Sequence, residues 1–152
     1  MEIILDVQRE VEALPKDDEL LKWLKETLEF EQHGDVELTI RFVSETESAE
    51  LNEKYRNKKG PTNILSFPFE VPDELELNLL GDLIICSDVV KKEALEQSKE
   101  EFAHWAHMII HGTLHLLGYD HLTSIDADVM EAKEIKILSK LGYSDPYREI
   151  KK

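Results

Sequence analysis

Residues His111 to His121 read H-G-T-L-H-L-L-G-Y-D-H, and this stretch constrains the chain more than any other. His111 and His115 are four apart, so on a helix their imidazoles stand on one face, roughly 5 to 6 Å apart at Cβ, as a bidentate clip for a metal ion. Leu114, Leu116 and Leu117 supply apolar turns around that clip. Gly118 predicts the end of the helix, because a chain reversal there calls for the left-handed backbone that a side chain resists. His121 arrives three residues later, placed to bring a third nitrogen to the same point. Three protein ligands with a fourth position left to water is the pattern of a catalytic zinc site, whereas a structural site is closed.

The offsets match the H-E-x-x-H-x-x-G-x-x-H of the metzincin proteases. One position differs, since Gly112 stands where those enzymes carry the glutamate that serves as general base. The pattern therefore predicts the metal geometry without the base of peptide hydrolysis. A single histidine on a helix would be read as surface or core; three at these offsets, with the turn glycine between them, read as a metal site.

At 152 residues the chain has the length of one domain, residues 1–152, with a proper core. Cys86 is the single cysteine, which rules out an internal disulfide framework, and the first residues lack the basic and long apolar runs of a secretory leader. A cytoplasmic protein is expected. No stretch approaches the roughly 18 apolar residues of a membrane span, so no membrane role is expected. The net charge of -15 argues against generic nucleic-acid binding, which usually demands a basic face. A local exception is the cluster of Lys54, Arg56, Lys58 and Lys59 ahead of Gly60 and Pro61, while acidic residues crowd Glu70 to Glu76. The cluster is either a patch that steers a phosphate into one site or a solvated helix end whose cations complement the dipole.

Taken in order, Ile3 to Val7 is apolar and β-branched and reads as a strand. Pro15 opens a helix with Asp17, Asp18 and Glu19 in its first turn and Leu20, Leu21, Leu24 and Leu28 on one face, and Gly34 ends it. Val36 to Val43 alternates as a half-buried strand. Ser44 caps the next helix with Glu47 completing a capping box, and that helix carries Leu51 and Tyr55 on one face and delivers Arg56 at its end. Thr62 to Phe69 is a strand that Pro68 makes an edge strand or a strand end. Leu79 to Cys86 reads as a strand covered on both faces. Ser87 or Asp88 caps a helix, Glu100 begins a second helical run through His115, and a last helix spans about Ser124 to Leu141 with Gly142 as its stop. The expectation is an α+β domain: about four strands in a mixed sheet, about five helices, and the metal helix packed among them.

Three stretches in this order resemble the YbeY family of bacterial endoribonucleases and ribosomal RNA maturation factors: Leu51 to Pro68 (L-N-E-K-Y-R-N-K-K-G-P-T-N-I-L-S-F-P), Gly81 to Ser87 (G-D-L-I-I-C-S) and His107 to His121. The ending L-G-Y-S-D-P-Y, Leu141 to Tyr147, is also similar. The resemblance implies a single-strand-specific, metal-dependent endoribonuclease in maturation of the 3′ end of 16S rRNA and late ribosome quality control, with precursor rRNA and the small subunit or 70S ribosome as partners. It implies that His111, His115 and His121 bind the metal, usually taken as Zn2+, and that Arg56 is the catalytic arginine. Asn63 stands where the family commonly has an aspartate, so no charged role is carried over to it.

The chemistry fits these residues. A zinc-bound water has its pKa lowered toward about 7 and the ion polarises a phosphoryl oxygen. Arg56 and His111 are the candidate catalytic residues, Arg56 clamping the phosphate whose charge grows during attack; Lys58 and Lys59 are candidate substrate contacts. With Gly112 in place of glutamate, the base is to be sought in Asp120, Asp82 or the metal hydroxide. His107 could orient a ligand or a substrate phosphate, a buried hydrogen-bonded core histidine being the commoner outcome. Glu134 shares a helix face with Met130, Ile137 and Leu141, odd for a carboxylate; it is either a partner of a metal ligand or, the favoured reading, a side chain snorkelling at the edge of that face. His104 and His33 are read as ordinary, Phe67 and Phe69 as core packing before base stacking, and Cys86 as a buried small hydrophobe. The alternatives to RNA hydrolysis are a zinc metallopeptidase-like hydrolase and a non-catalytic ribosome-assembly factor with a structural metal.

Overall fold

The computed structural model describes residues 1–12, 15–70, 72 and 77–147. The order of elements is β1 (Ile3–Arg9), α1 (Asp17–Phe30), β2 (Val36–Val43), α2 (Glu45–Arg56), β3 (Ile64–Pro68), β4 (Leu79–Cys86), α3 (Ser87–Glu96), α4 (Glu101–Leu116) and α5 (Ser124–Lys140). The strands form one mixed sheet in the order β1-β2-β4-β3, with β1, β2 and β4 parallel and β3 antiparallel to β4. The expected α+β domain of four strands and five helices is what forms. Much of the acidic stretch 70–76 lies outside the described residues.

Helix α4 is apolar nearly all round, and the other layers close over it. Trp105, Ala106, Ile109, Ile110 and Leu114 are fully buried on it, and it touches α1, α3, α5, β3 and β4. Each such large apolar side chain contributes about 1.5 to 3 kcal/mol on burial, far more than any difference in helix propensity, so packing holds α4 in place. Val36, Leu38, Ile40 and Phe42 alternate toward this core, where Phe42 meets Trp105 edge to face.

The other face of the sheet is thinly covered. Helix α2 lies there: Arg41 of β2 pairs with Glu47, and Tyr55 packs edge to face on Phe67 at 5.1 Å. The face that carries Leu51 and Tyr55 is not the buried one, since Tyr55 is exposed and the buried positions are Ser48 and Asn52. Both are polar for a reason. Ser48 Oγ bonds the carbonyl and amide of Thr62, and Asn52 Nδ2 donates to the carbonyl of Gly60, so α2 pins the loop that leads into β3.

Element ends differ from the local signals by a few residues. Ser44 Oγ accepts from the Glu47 amide as expected, but the Glu47 carboxylate goes to Arg41 instead of closing the box. Helix α1 begins at Asp17 behind Lys16, and its reversal uses Gln32 at φ +54° in place of Gly34. Helix α3 begins at Ser87 with Cys86 in the cap position and no side-chain cap. Pro68 is the last residue of the edge strand β3, as its missing N–H requires.

Candidate metal centre

The helix carrying the histidines stops as the glycine predicted. Gly118 sits at φ +103°, its N–H donates to the His115 carbonyl at 3.0 Å, and the Tyr119 N–H reaches back to the Leu114 carbonyl at 3.0 Å. This is the paired bonding of a Schellman turn. Its consequence is chemical, because the turn sets the Tyr119 carbonyl 2.9 Å from Nδ1 of His115. The chain then reaches His121, whose N–H is held by Oδ1 of Asp120 at 2.7 Å. One ligand nitrogen from each of His111, His115 and His121 lies within 4.8 Å of the other two.

Whether this trio fits a metal ion is decided by the second nitrogen of each ring. Nδ1 of His115 faces a carbonyl, and Nδ1 of His111 faces Oε2 of Glu134 at 3.2 Å. Both partners only accept, so both Nδ1 atoms carry the proton and both Nε2 atoms present lone pairs. Those two lone pairs face each other across 3.1 Å. Burial, followed by the neighbouring charges of His111 and His121, pushes the His115 pKa down, which disfavours a proton as the cation between them. Two nitrogens bound tetrahedrally at about 2.0 to 2.1 Å from one zinc are separated by roughly 3.3 Å, so the donor set fits such an ion.

Glu134 is what holds His111. It is 0 % exposed, delivered by α5 into the protein interior. Its Oε1 accepts from the Tyr147 hydroxyl at 2.6 Å and from Nε2 of His107, while Oε2 accepts from His111. Burial by itself would raise its pKa, but the hydrogen bonds from His107 and His111 outweigh it and hold the carboxyl at about 2. Burial and the adjacent carboxylate push the Tyr147 phenol up, so it stays a donor. His107, Glu134 and His111 also lie within metal-binding range of one another. The donors already placed on the carboxylate make that group a hydrogen-bonded clamp.

The favoured reading of Glu134 as a snorkelling side chain is thus corrected, while His107 is the buried, bonded core histidine expected. Tyr147 was not singled out as a site residue. The available signal was a carboxylate on an apolar helix face, which needs donors from elsewhere in the chain. Gly142, at φ +90°, ends α5 in a second Schellman turn and sends the chain back toward Glu134.

The missing glutamate has a steric cause. A Cβ on Gly112 would come within 2.6 Å of Ile64 Cδ1 and 2.9 Å of Leu83 Cδ2, because α4 lies directly on β3 and β4 at that point. A longer side chain there would have to push those two buried side-chain tips aside. Of the candidate bases, Asp82 is paired in register with Phe67 and bonded to Thr39, on the sheet face away from Gly112, and so is out of the site. Asp120 adjoins His121.

The basic cluster comes from the end of α2 and the loop after it. Arg56 ends α2 next to Tyr55, which packs on Phe67, whereas Ile64 and Ser66 of β3 meet α4 at Gly112. Arg56, Lys58 and Lys59 are exposed, and their side chains have no hydrogen bond or ion pair among the described residues. Asn63 donates from Nδ2 to both oxygens of Glu93, at 3.1 and 3.3 Å, and accepts from the Ile64 amide. His104 reaches the same Glu93 at 3.0 Å, and the His33 ring bonds the carbonyl of Gly34. Phe67 packs on Tyr55, Phe69 is exposed, and Cys86 is buried, with burial pushing its thiol up.

Residues 5–142 match the sequence profile of the family described as Endoribonuclease YbeY. The chain belongs to the YbeY family. Its fold is also similar to the solution structure of TM1509 from Thermotoga maritima, with 27 % identity and a TM-score of 0.58 over 97 % of this chain and 99 % of that one. Membership in the YbeY family makes RNA the substrate class and hydrolysis the reaction class. No helix among the described residues is long and apolar enough to cross a membrane.

Proposed function

We propose that this YbeY-family chain is a cytoplasmic, zinc-dependent endoribonuclease, specific for single strands, that matures the 3′ end of 16S rRNA and acts in late ribosome quality control on the small subunit or 70S particle. The observation that carries the reading is the pair of facing Nε2 lone pairs on His111 and His115, with His121 beside them. His111, His115 and His121 hold the ion. When bound, a zinc ion supplies Lewis acidity, which yields a nucleophile near neutral pH and polarises a phosphoryl oxygen.

The chain's own residues do the rest. Glu134 and the Tyr119 carbonyl fix the tautomers of His111 and His115, so the site needs no reorganisation to take its ligand. Asp120 adjoins His121 and is the candidate proton acceptor. The exposed side chains of Arg56, Lys58 and Lys59 are free to meet the backbone of a strand bound at the histidines. Arg56 clamps a phosphate there and offsets charge that grows during attack, and the two lysines hold the flanking backbone. A peptidase reading is disfavoured by Gly112, which stands where those proteases carry their general base.

The test is a pair of substitutions assayed on single-stranded RNA. His115→Ala should lose both metal and cleavage, whereas Arg56→Ala should keep the metal and lose cleavage. Cleavage by both variants at the parent's rate would overturn the site assignment. Metal-dependent stability without cleavage in any metal would leave only an assembly factor.

A further inference from the structure

Next to the histidines lies a cavity of about 290 Å³ whose chemistry is unlike that of a phosphate site. His111 and His121 form one side; Ala127, Met130 and Glu131 of α5 form another; Tyr147 closes the third. Its volume is at the lower end of small-ligand pockets, about 300 to 1,000 Å³, with room for one planar group and none for a duplex.

Three features point to the same occupant. Tyr147 has its hydroxyl tied to Glu134 at 2.6 Å and its ring in a T-shaped contact with that of His107 at 5.2 Å, yet it is 43 % exposed, so its ring is a fixed platform with open surface. Ala127 and Met130 give an apolar wall. Glu131 is half-buried and has no hydrogen-bond or ion-pair partner among the described residues. A carboxylate in that position repels a phosphate but accepts N–H groups, and an aromatic face beside it takes a flat ring.

We propose that this cavity is a subsite for one unstacked nucleobase of the RNA strand, with Tyr147 stacking on it and Glu131 reading its Watson–Crick edge. Guanine fits best, because N1–H and the N2 amino group lie side by side and match the two carboxylate oxygens. Adenine and cytosine offer only an amino group, and the single N–H of uracil is flanked by carbonyls that the carboxylate repels. A base held here must leave its helix, which ties the cavity to single-stranded substrates. The ligand class rests on the RNA-cleaving reading above, but the binding can be measured without cleavage.

The experiment is titration of the zinc-loaded protein with GMP, AMP, CMP and UMP, followed by NMR at the Met130 methyl and the Tyr147 ring. Because all four carry the same phosphate, differences report the base. GMP should bind at least about fivefold tighter than UMP, the worth of one charge-assisted hydrogen bond. Glu131→Gln should bring GMP down to the level of the others. Tyr147→Ala should weaken all four about tenfold, the loss of one stacking contact, while Tyr147→Phe should keep the GMP preference. Thermal unfolding checks that each variant is folded. Equal binding of the four nucleotides, shifts confined to residues outside the cavity, or a preference unchanged in Glu131→Gln would overturn the proposal. So would a Glu131→Gln variant that stops RNA cleavage while leaving GMP preference intact, since Glu131 would then serve proton transfer. Mapping of RNA ends separates the two readings: cleavage with no base preference removes the subsite and keeps the nuclease, whereas selective GMP binding without any cleavage does the reverse.

Discussion

Nε2 of His111 and Nε2 of His115 lie 3.1 Å apart on rings whose other nitrogens are already committed, to Glu134 and to the Tyr119 carbonyl. A divalent ion between them removes a repulsion that the folded chain otherwise carries. Zinc at a hundredfold excess over its dissociation constant should therefore stabilise the protein by about 2.7 kcal/mol. Differential scanning calorimetry with and without zinc measures this, and the increment should vanish in His115→Ala. An unchanged melting temperature in the parent would mean that the rings are not a metal site.

Glu134→Gln keeps the volume of the side chain but removes the charge that His111 Nδ1–H bonds. Zinc affinity, measured by competition with a chromophoric chelator, should fall about 10- to 100-fold. Tyr147→Phe, which removes one of three donors to the carboxylate, should cost less. Affinity equal to the parent's in Glu134→Gln would show that the clamp serves folding alone.

Gly112→Ala sets two effects against each other. Alanine gains about 1 kcal/mol of helix propensity. The new methyl presses on Ile64 and Leu83 at 2.6 and 2.9 Å, and overpacking of this kind costs about 1 to 3 kcal/mol. Urea unfolding should show a net loss, with a larger loss for Gly112→Glu. A stabilised Gly112→Ala would indicate that α4 can shift off the sheet.

Asn63 is matched to Glu93. Burial raises the Glu93 pKa, but the hydrogen bonds from His104 and Asn63 outweigh it and leave it below its ordinary value of 4.5. A depressed carboxylate pKa stabilises the fold above the ordinary value, and that contribution is lost as pH falls through the lower folded value. Asn63→Asp replaces the donor with a second carboxylate and should cost about 1 to 3 kcal/mol near neutral pH. The deficit should shrink on acidification to pH 4, and Glu93→Gln added to Asn63→Asp should recover much of it. A deficit independent of pH would point to the backbone of the 57–63 loop instead.

Lys58→Ala together with Lys59→Ala should weaken RNA binding with little effect on folding, since neither side chain has a protein partner among the described residues. If each lysine neutralises one phosphate, the slope of log K against log salt should flatten by about 1.4. An unchanged slope would take the RNA path away from this loop.

Much of this protein is local and was legible as such. The offsets of His111, His115, Gly118 and His121 determine a helix, a left-handed stop and a returning ligand, because each depends only on backbone geometry within a few residues. Alternation in β2, the cap at Ser44 and the break at Pro68 are legible for the same reason. Helix ends that reverse without glycine, as at Gln32, escape this reading because the surrounding packing fixes their conformation.

What the tertiary structure decided are the contacts between residues far apart in sequence. It alone brings Glu134 of α5 and Tyr147 beyond it onto His107 and His111 of α4, 23 to 40 residues away. It alone sets Gly112 close against Ile64 of β3 and Leu83 of β4, and puts Asp82 on the far face of the sheet. Ligand spacing is a property of one turn of helix, but the environment that fixes a tautomer, excludes a base or opens a cavity comes from how the layers pack.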